Sequence, residues 1–200
     1  MVTLRVEGMG RLQRLLERRL GPRAMQEAMA KGINKTADTA NAELTQGLNR
    51  HLDRPTPFTM KAIKTSKARP KPEPSAIVYV QPLQARYLKW PIYGGTLPTV
   101  IEPAAGRLNK YGNIIGKNRA PRGLKGIKGN NPKRFIAEIK GGFGVWERYG
   151  PKGRKVKPIV LVSRSSPRSK IYDFEYIGKK SVKRVLQSDV RAALIDALRA

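Results

Sequence analysis

The residues of this chain that could supply acid–base or metal chemistry are 14 carboxylates and one histidine. The carboxylates are scattered, and no pair stands at a spacing that predicts a general acid and a general base. Glu138 and Glu147 would approach each other in a hairpin, as a metal-dependent nuclease requires. Lys140 and Arg148 adjoin them, however, and cross-strand ion pairing explains both acids more simply. The sequence therefore predicts no catalytic residue.

Residues that could bind a metal or a cofactor are equally scarce. Cysteine is absent, which excludes disulfides and thiolate metal sites, and His51 is the single histidine. His51 lies near the predicted end of a helix, where a solvated histidine is favoured by the helix dipole. No phosphate-binding glycine loop, zinc finger, helix-turn-helix or RNA-recognition signature occurs. We expect no metal, no cofactor and no enzymatic activity.

Positive charge is the outlier of the composition, with 41 Lys and Arg against 14 Asp and Glu and a net charge of +27. A folded domain with this charge repels itself unless a polyanion neutralises it. The charge favours nucleic acid as the partner, or a very acidic protein surface. A membrane surface could also attract this charge, but no long basic amphipathic helix favours such a partner. No run of 18 apolar residues occurs, so no membrane span is expected either. The first 20 residues lack a signal-type apolar core, which predicts synthesis and assembly in a cytoplasm.

Part of this charge lies in a segment rich in glycine. Residues 103–134 contain nine Lys or Arg, six Gly and no acid. So long a loop inside a domain is usually functional or disordered. It is either a mobile solvated loop or an arm that orders on an assembly partner or on phosphates. The candidate DNA- or partner-contacting residues of this loop and of the basic stretch after Gly150 are Lys110, Lys117, Arg119, Arg122, Lys125, Lys128, Lys133, Arg134, Lys152, Arg154 and Lys155.

A β-hairpin is predicted between the two basic stretches. Two strand-like runs, Phe135–Lys140 and Phe143–Tyr149, flank Gly141-Gly142, and a glycine pair supplies the positive φ of a two-residue turn. This turn would place Glu138 opposite Val145. Side-chain alternation assigns one face to the core, under a helix. The members of that face are Phe135, Ala137, Ile139 and Trp146. The opposite face, with Glu138, Lys140 and Glu147, is predicted to carry mixed charge and to be available to a neighbouring subunit.

Two helices and three further strands complete the predicted architecture. Apolar residues recur every three or four positions from about Pro22 to Leu52 and from about Lys179 to Leu198. Strands are predicted at 2–6, 76–80 and 158–162, and they are expected to join the hairpin. The fold class is therefore α+β: a small antiparallel sheet packed by a long helix of the N-terminal half and by a C-terminal helix, with extended basic loops. We expect one domain over residues 1–200.

Several of these segments together resemble the phage minor tail protein Z family, the tail-completion or neck proteins of tailed bacteriophages. The family pattern is a basic middle, an aromatic strand, a glycine-rich turn, a strand ending in Arg, and a Pro-Ile strand before the last helix. The matching residues are Phe135-Ile136, Gly141-Gly142, Trp146-Glu147-Arg148 and Pro158-Ile159. The long helix ending near RPTPFT also fits, whereas the 103–130 segment matches least well.

The resemblance implies a structural virion protein in the phage neck or tail, assembled in the host cytoplasm, that completes the tail and joins it to the head connector. It implies a homo-oligomeric ring, sixfold or alternatively twelvefold, that contacts neck, connector or tail-tube proteins. Double-stranded DNA passes through such a ring. Distributed Lys and Arg suit that role, because they attract phosphates without reading bases. The alternative function is a basic nucleic-acid-binding protein of ribosomal or nucleoid type.

Overall fold

The computed structural model describes residues 2–5, 18–97, 100–103, 108–112, 125, 128, 130–163 and 165–199. The chain separates into two compact units, Met1–Tyr93 with Lys170–Ala200, and Gly94–Ser169. Among the described residues, no helix has the length and apolar character needed to cross a bilayer. The prediction that residues 1–200 form one tail-completion-like domain stays a prediction.

The first unit packs helices on a three-stranded antiparallel sheet. Its elements in chain order are β1 (Val2–Arg5), α1 (Pro22–His51), α2 (Pro57–Met60), β2 (Ile63–Ser66), β3 (Ser75–Val80), α3 (Pro82–Tyr93) and α4 (Phe174–Arg199). The strand order is β1-β3-β2, with β3 antiparallel to both neighbours. Helix α1 packs against β2, β3 and α4. The predicted α+β class, a small antiparallel sheet covered by a long helix and a C-terminal helix, is confirmed.

Helix α1 follows the predicted boundaries closely. Gly21, at a φ of 78°, turns the chain, and Pro22 starts the helix at a position where no backbone N–H is needed. The predicted apolar stripe from Met25 to Leu48 is buried throughout. His51 lies exposed in the last turn, as expected for a histidine near a helix C-terminus. The stripe is therefore the core side of a helix that lies on a sheet.

Tyr172, just before the start of α4, contacts the C-terminal half of α1. Its side chain is fully buried, and its hydroxyl donates to the backbone carbonyl of Leu44 at 2.9 Å. The backbone N–H of Tyr172 donates to the carbonyl of Pro91, so the same residue also ties α3 to this core. Burial raises the pKa of the Tyr172 phenol above its ordinary value.

We expect Tyr172→Phe to lower the free energy of unfolding by about 1 kcal/mol at pH 8, because one buried hydrogen bond is lost. The raised folded-state pKa adds a pH dependence. The stability that the buried neutral phenol contributes is fully present below the unfolded-state pKa, near 10, and is lost as the pH rises above that value. Urea unfolding of the wild type and of Tyr172→Phe at about pH 8 and about pH 11 measures the effect. The difference between their free energies of unfolding should be smaller at the higher pH. A difference that stays constant would contradict a buried neutral phenol.

The second unit consists of two antiparallel sheets. Its strands are β4 (Gly95–Leu97), β5 (Val100–Pro103), β6 (Arg134–Ile139), β7 (Gly142–Tyr149), β8 (Lys155–Ser163) and β9 (Ser166–Arg168). Strand β4 pairs with β9, and the larger sheet has the order β5-β8-β7-β6. A 3-10 turn over Pro151–Gly153 connects β7 to β8. The predicted strand at 158–162 is the second half of β8.

The hairpin forms, but its predicted turn is wrong by one residue. The turn is Lys140-Gly141, with φ of 52° and 76°, and Gly142 pairs with Ile139 inside the ladder. Glu138 consequently faces Phe143 rather than Val145. Gly144 gives the physical reason for a glycine-rich strand start, because an added Cβ there would lie 2.1 Å from the backbone oxygen of Val160 in β8. Gly144 thus serves a close contact between strands, and Gly142 belongs to the ladder rather than to the turn.

The predicted partners of the hairpin and its predicted core face also need correction. The strand predicted at 158–162, which is part of β8, does join the hairpin, and β5 extends the sheet beyond it. The strands predicted at 2–6 and 76–80 form β1 and β3, which instead pair with each other in the sheet of the first unit. The core of the second unit is Val145, Ile159 and Val160, with Ile136 packed against it. Ile136, Val145 and Val160 oppose one another across β6, β7 and β8, so the third strand creates an apolar row on the face that was expected to be exposed.

The face that was expected to be core is only partly so. Trp146 is buried, and its indole Nε1 donates to the carbonyl of Ala137 at 3.0 Å. Phe135 and Ile139 on the same face are half-buried. All four α-helices whose bounds are defined belong to the first unit. The second unit therefore has no helix of defined bounds that could cover this face of the hairpin.

Candidate nucleic-acid interface

The β7–β8 connection presents cations on a tight turn. Gly150, Lys152 and Gly153 all have positive φ, at 77°, 55° and 66°. The N–H of Gly153 donates to the carbonyl of Gly150 at 3.1 Å, which closes the turn. The basic side chains on either side of this connection therefore project from one end of the β6–β7–β8 sheet. We name this group of residues the cationic sheet end; its members are Lys133, Arg148, Tyr149, Lys152, Arg154, Lys155 and Lys157.

Strand register brings these residues together. Tyr149 pairs with Lys155, and Arg148 pairs with Val156. The backbone N–H of Arg148 donates to the carbonyl of Lys133 at 2.9 Å, which places the start of β6 at the same end. All members are exposed except Lys157, which is half-buried. The charges thus lie at one end of the sheet, because β6 and β8 start there and β7 stops there.

Aromatic rings hold two of the cations. The ammonium of Lys157 lies 5.2 Å from the centroid of the Tyr149 ring, and the guanidinium carbon of Arg148 lies 4.8 Å from the centroid of the Phe135 ring. Cation–π contacts of this length are attractive and restrict the side chain without neutralising its charge. Tyr149 itself is 43% exposed, so its ring is also accessible at this end.

Glu147 lies close to the cationic sheet end, and it is engaged by two cations. Its carboxylate accepts from Nε of Arg134 at 3.1 Å and lies 3.5 Å from Nζ of Lys157. The side chains of Arg134 and Glu147 are 11% and 15% exposed, so the pair is largely buried within the sheet. Arg134, a predicted contact residue, therefore has a structural role here. Glu147, for which Lys140 and Arg148 were the expected cations, pairs with Arg134 and Lys157.

The suspected carboxylate pair does not form. Glu138 opposes Phe143, whereas Glu147 opposes Arg134. These two cross-strand pairs are four residues apart along each strand. Within the described part of the chain, no group of three or more His, Asp and Glu side chains could hold a metal ion. A hairpin acid pair for nuclease chemistry is thus absent from the described residues.

The other predicted contact residues are distributed as follows. Lys133, Lys152, Arg154 and Lys155 belong to the cationic sheet end. Lys110 is exposed, with its ammonium 5.1 Å from the centroid of the Tyr111 ring. Lys125 and Lys128 are exposed. Lys117, Arg119 and Arg122 lie outside the described residues.

Sequence reasoning missed three members of the cationic sheet end: Arg148, Tyr149 and Lys157. Arg148 was expected in an ion pair, and Tyr149 and Lys157 were not among the predicted contact residues. The available signal was the segment RYGPKGRKVK, in which a Gly-Pro turn joins two basic strand ends. Antiparallel pairing across that turn would have predicted the cluster directly.

The charge balance of the second unit indicates what the site can do. Residues 94–169 contain 17 Lys or Arg and three acids, Glu102, Glu138 and Glu147. Exposed Lys and Arg on a turn attract phosphate oxygens and carry no base-reading geometry of their own. The arrangement suits non-specific contact with a nucleic-acid backbone.

Known proteins were compared with the whole chain at three levels. No family model, no curated protein and no solved structure matches it.

Proposed function

We propose that this chain is a structural virion protein of the phage neck or tail, which completes the tail, joins it to the head connector and forms a ring around the DNA channel. The observation that carries the proposal is the cationic sheet end, where six cations lie at the same end of a small sheet. The neighbouring acid, Glu147, is engaged by two of the surrounding cations. This edge is suited to double-stranded DNA that moves past without being read.

Ring symmetry would multiply this site. A sixfold ring, or alternatively a twelvefold one, repeats each surface around its axis. One cationic edge per subunit facing the axis would line the channel with positive charge at regular intervals. Such a lining attracts phosphates from every direction and favours no sequence. The partners are further copies of the chain, neighbouring neck, connector or tail-tube proteins, and the DNA.

The second candidate is a free nucleic-acid-binding protein of ribosomal or nucleoid type. The same cationic edge favours it, since exposed Lys and Arg also support tight binding by a single molecule. The two functions differ in assembly. A ring protein forms a defined high-order oligomer, alone or on a partner ring, whereas the alternative acts as a monomer or dimer with a steep salt dependence.

Mass photometry of the full chain, with and without purified tail-tube and connector proteins, separates the two functions. We expect a species of six or twelve chains, alone or only after the partner ring is added, and equal affinity for unrelated duplex sequences. A monomer under both conditions that binds DNA with nanomolar affinity at physiological salt would overturn the neck proposal in favour of the alternative.

A further inference from the structure

Helix α3 has a second apolar side that faces away from the core. Gln84, Leu88 and Ile92 recur every four residues and are buried. Leu83, Tyr87 and Trp90 follow the spacing i, i+4 and i+7 on another face, and the first two are 62% and 40% exposed. Trp90 is half-buried, and Phe58 of the neighbouring helix α2 is 53% exposed. We name these four side chains the α2–α3 patch: Phe58, Leu83, Tyr87 and Trp90.

Hydrogen bonds hold the two helices of the patch together. The hydroxyls of Thr59 and Tyr87 lie 3.1 Å apart, and Nε2 of Gln84 donates to the carbonyl of Phe58 at 3.3 Å. Thr56 caps α2, because its hydroxyl accepts from the N–H of Thr59 at 3.2 Å. Nε2 of Gln81 donates to the carbonyl of Lys61 at 2.8 Å. The patch is therefore formed before any partner arrives, which reduces the ordering cost of binding.

The border of the patch is positively charged. The two segments that build it, residues 55–64 and 81–93, contain four cations and no acid. Lys61, Lys64, Arg86 and Lys89 are all exposed, and the ammonium of Lys89 lies 4.5 Å from the centroid of the Trp90 ring. The combination is an apolar, partly aromatic centre on two segments that carry cations and no acid.

We propose that the α2–α3 patch docks a partner protein through a surface with an apolar centre and an acidic rim. Neighbouring exposed apolar side chains mark interaction sites, and Tyr, Trp and Arg are the residues that most often carry interface affinity. Charge complementarity selects an acidic rim. A second copy of this chain meeting the patch face to face would oppose cations to cations. Single-stranded nucleic acid fits less well, because Leu83, the most exposed of the four, has no ring on which a base could stack.

The test uses the full chain and two fluorescein-labelled helical peptides as probes. One peptide carries Leu, Trp and Leu at the spacing i, i+4 and i+7 with Glu at the flanking positions, and the other replaces these apolar residues by Ser at equal charge. Fluorescence anisotropy should show that the apolar acidic peptide binds about tenfold or more tightly than the Ser peptide. Equal affinity would overturn the proposal, since charge alone would then explain the binding.

Substitutions locate the binding. Phe58→Ser combined with Leu83→Ser should weaken binding of the apolar peptide about tenfold. Tyr176→Ser is the matched control, because Tyr176 on α4 is 61% exposed and also lies beside a cation, Lys180. The control should bind as the wild type does. If the control weakened binding as much as the double variant, the patch would not be the site.

The two tryptophans of the chain, Trp90 and Trp146, report separately on the two units. In proton–nitrogen NMR spectra the indole N–H signal of Trp90 should shift when the apolar peptide is added, while that of Trp146 stays in place. A shift of the Trp146 signal without a shift of the Trp90 signal would overturn the proposal. Binding of an oligothymidylate would also overturn it if the Phe58→Ser and Leu83→Ser substitutions abolished that binding, because the patch would then bind single-stranded nucleic acid. A further variant separates the α2–α3 patch from the cationic sheet end. Lys152→Gln with Arg154→Gln should leave peptide binding unchanged and weaken only duplex binding.

Discussion

Replacing Gly32 by alanine is expected to lower the free energy of unfolding by about 2 kcal/mol or more, which is the cost of overpacking a close backbone contact. In an open helix the same change would raise stability by up to about 1 kcal/mol, because Ala is the better helix former. The sign is reversed here by the crossing of α1 and α4. A Cβ at Gly32 would lie 2.6 Å from Cα of Val190 and 3.0 Å from the backbone oxygen of Asp189.

The contacts beside Gly32 explain why the helices cannot simply move apart. Asp189 is buried, accepts from the hydroxyl of Thr36 at 3.0 Å and pairs with Nζ of Lys35 at 3.0 Å. Separating α1 from α4 to admit a methyl group would stretch this network. A buried carboxylate that loses its partners is costly, so the crossing distance is tightly constrained.

Thermal and urea unfolding of Gly32→Ala against the wild type provide the measurement. Lys31→Ala is the control, because Lys31 is the exposed preceding residue and should change stability by no more than about 0.5 kcal/mol. Gly47→Ala should lie between them, since its Cβ would meet the Tyr172 ring at 2.9 Å rather than backbone atoms. A Gly32→Ala protein more stable than the wild type would show that the helices do not approach this closely.

The second large effect is expected at the cationic sheet end. Lys152→Gln, Arg154→Gln and Lys155→Gln together should weaken binding to duplex DNA about tenfold to a hundredfold at physiological salt, because up to three phosphate contacts are lost. The slope of log affinity against log salt should fall by roughly 2 to 3. The loss should be the same for two unrelated sequences, because phosphate contacts carry no sequence information.

Anisotropy titrations between about 50 and 200 mM salt measure both quantities. The matched control neutralises two Lys and one Arg of the first unit, Lys180, Lys183 and Arg191, which are exposed on α4. The two triple variants have the same net charge and differ only in the place of the change. Equal losses of affinity and slope would mean that overall charge, rather than the cationic sheet end, governs binding.

The sequence by itself determined the features that depend on neighbours within one or two turns of chain. The apolar stripe from Met25 to Leu48 specified α1, and alternation specified the strands of the hairpin. Composition alone removed thiolate chemistry and any histidine cluster. The helix and strand predictions succeeded because helix and strand periodicities are local properties of the chain.

Only the tertiary structure decided which strands pair. Gly142 lies in a strand rather than in the turn. Gly144, two residues later, sits against the backbone of Val160, which is 16 residues further along the chain. The hairpin takes β8 and β5 as neighbours, whereas β1 and β3 form a separate sheet. Pairing energies of this kind depend on contacts between distant segments, so a pattern within one segment cannot predict them.

The same distinction holds for the two surfaces. Many basic residues were identified from the sequence, but only strand register separates Arg134, which is tied to Glu147, from Lys155, which is exposed. The α2–α3 patch has no counterpart in the sequence reasoning, because the outward face of α3 is defined by what covers the opposite face. Local sequence set the elements and the excess of positive charge, and long-range packing decided which side chains remain exposed to meet a partner.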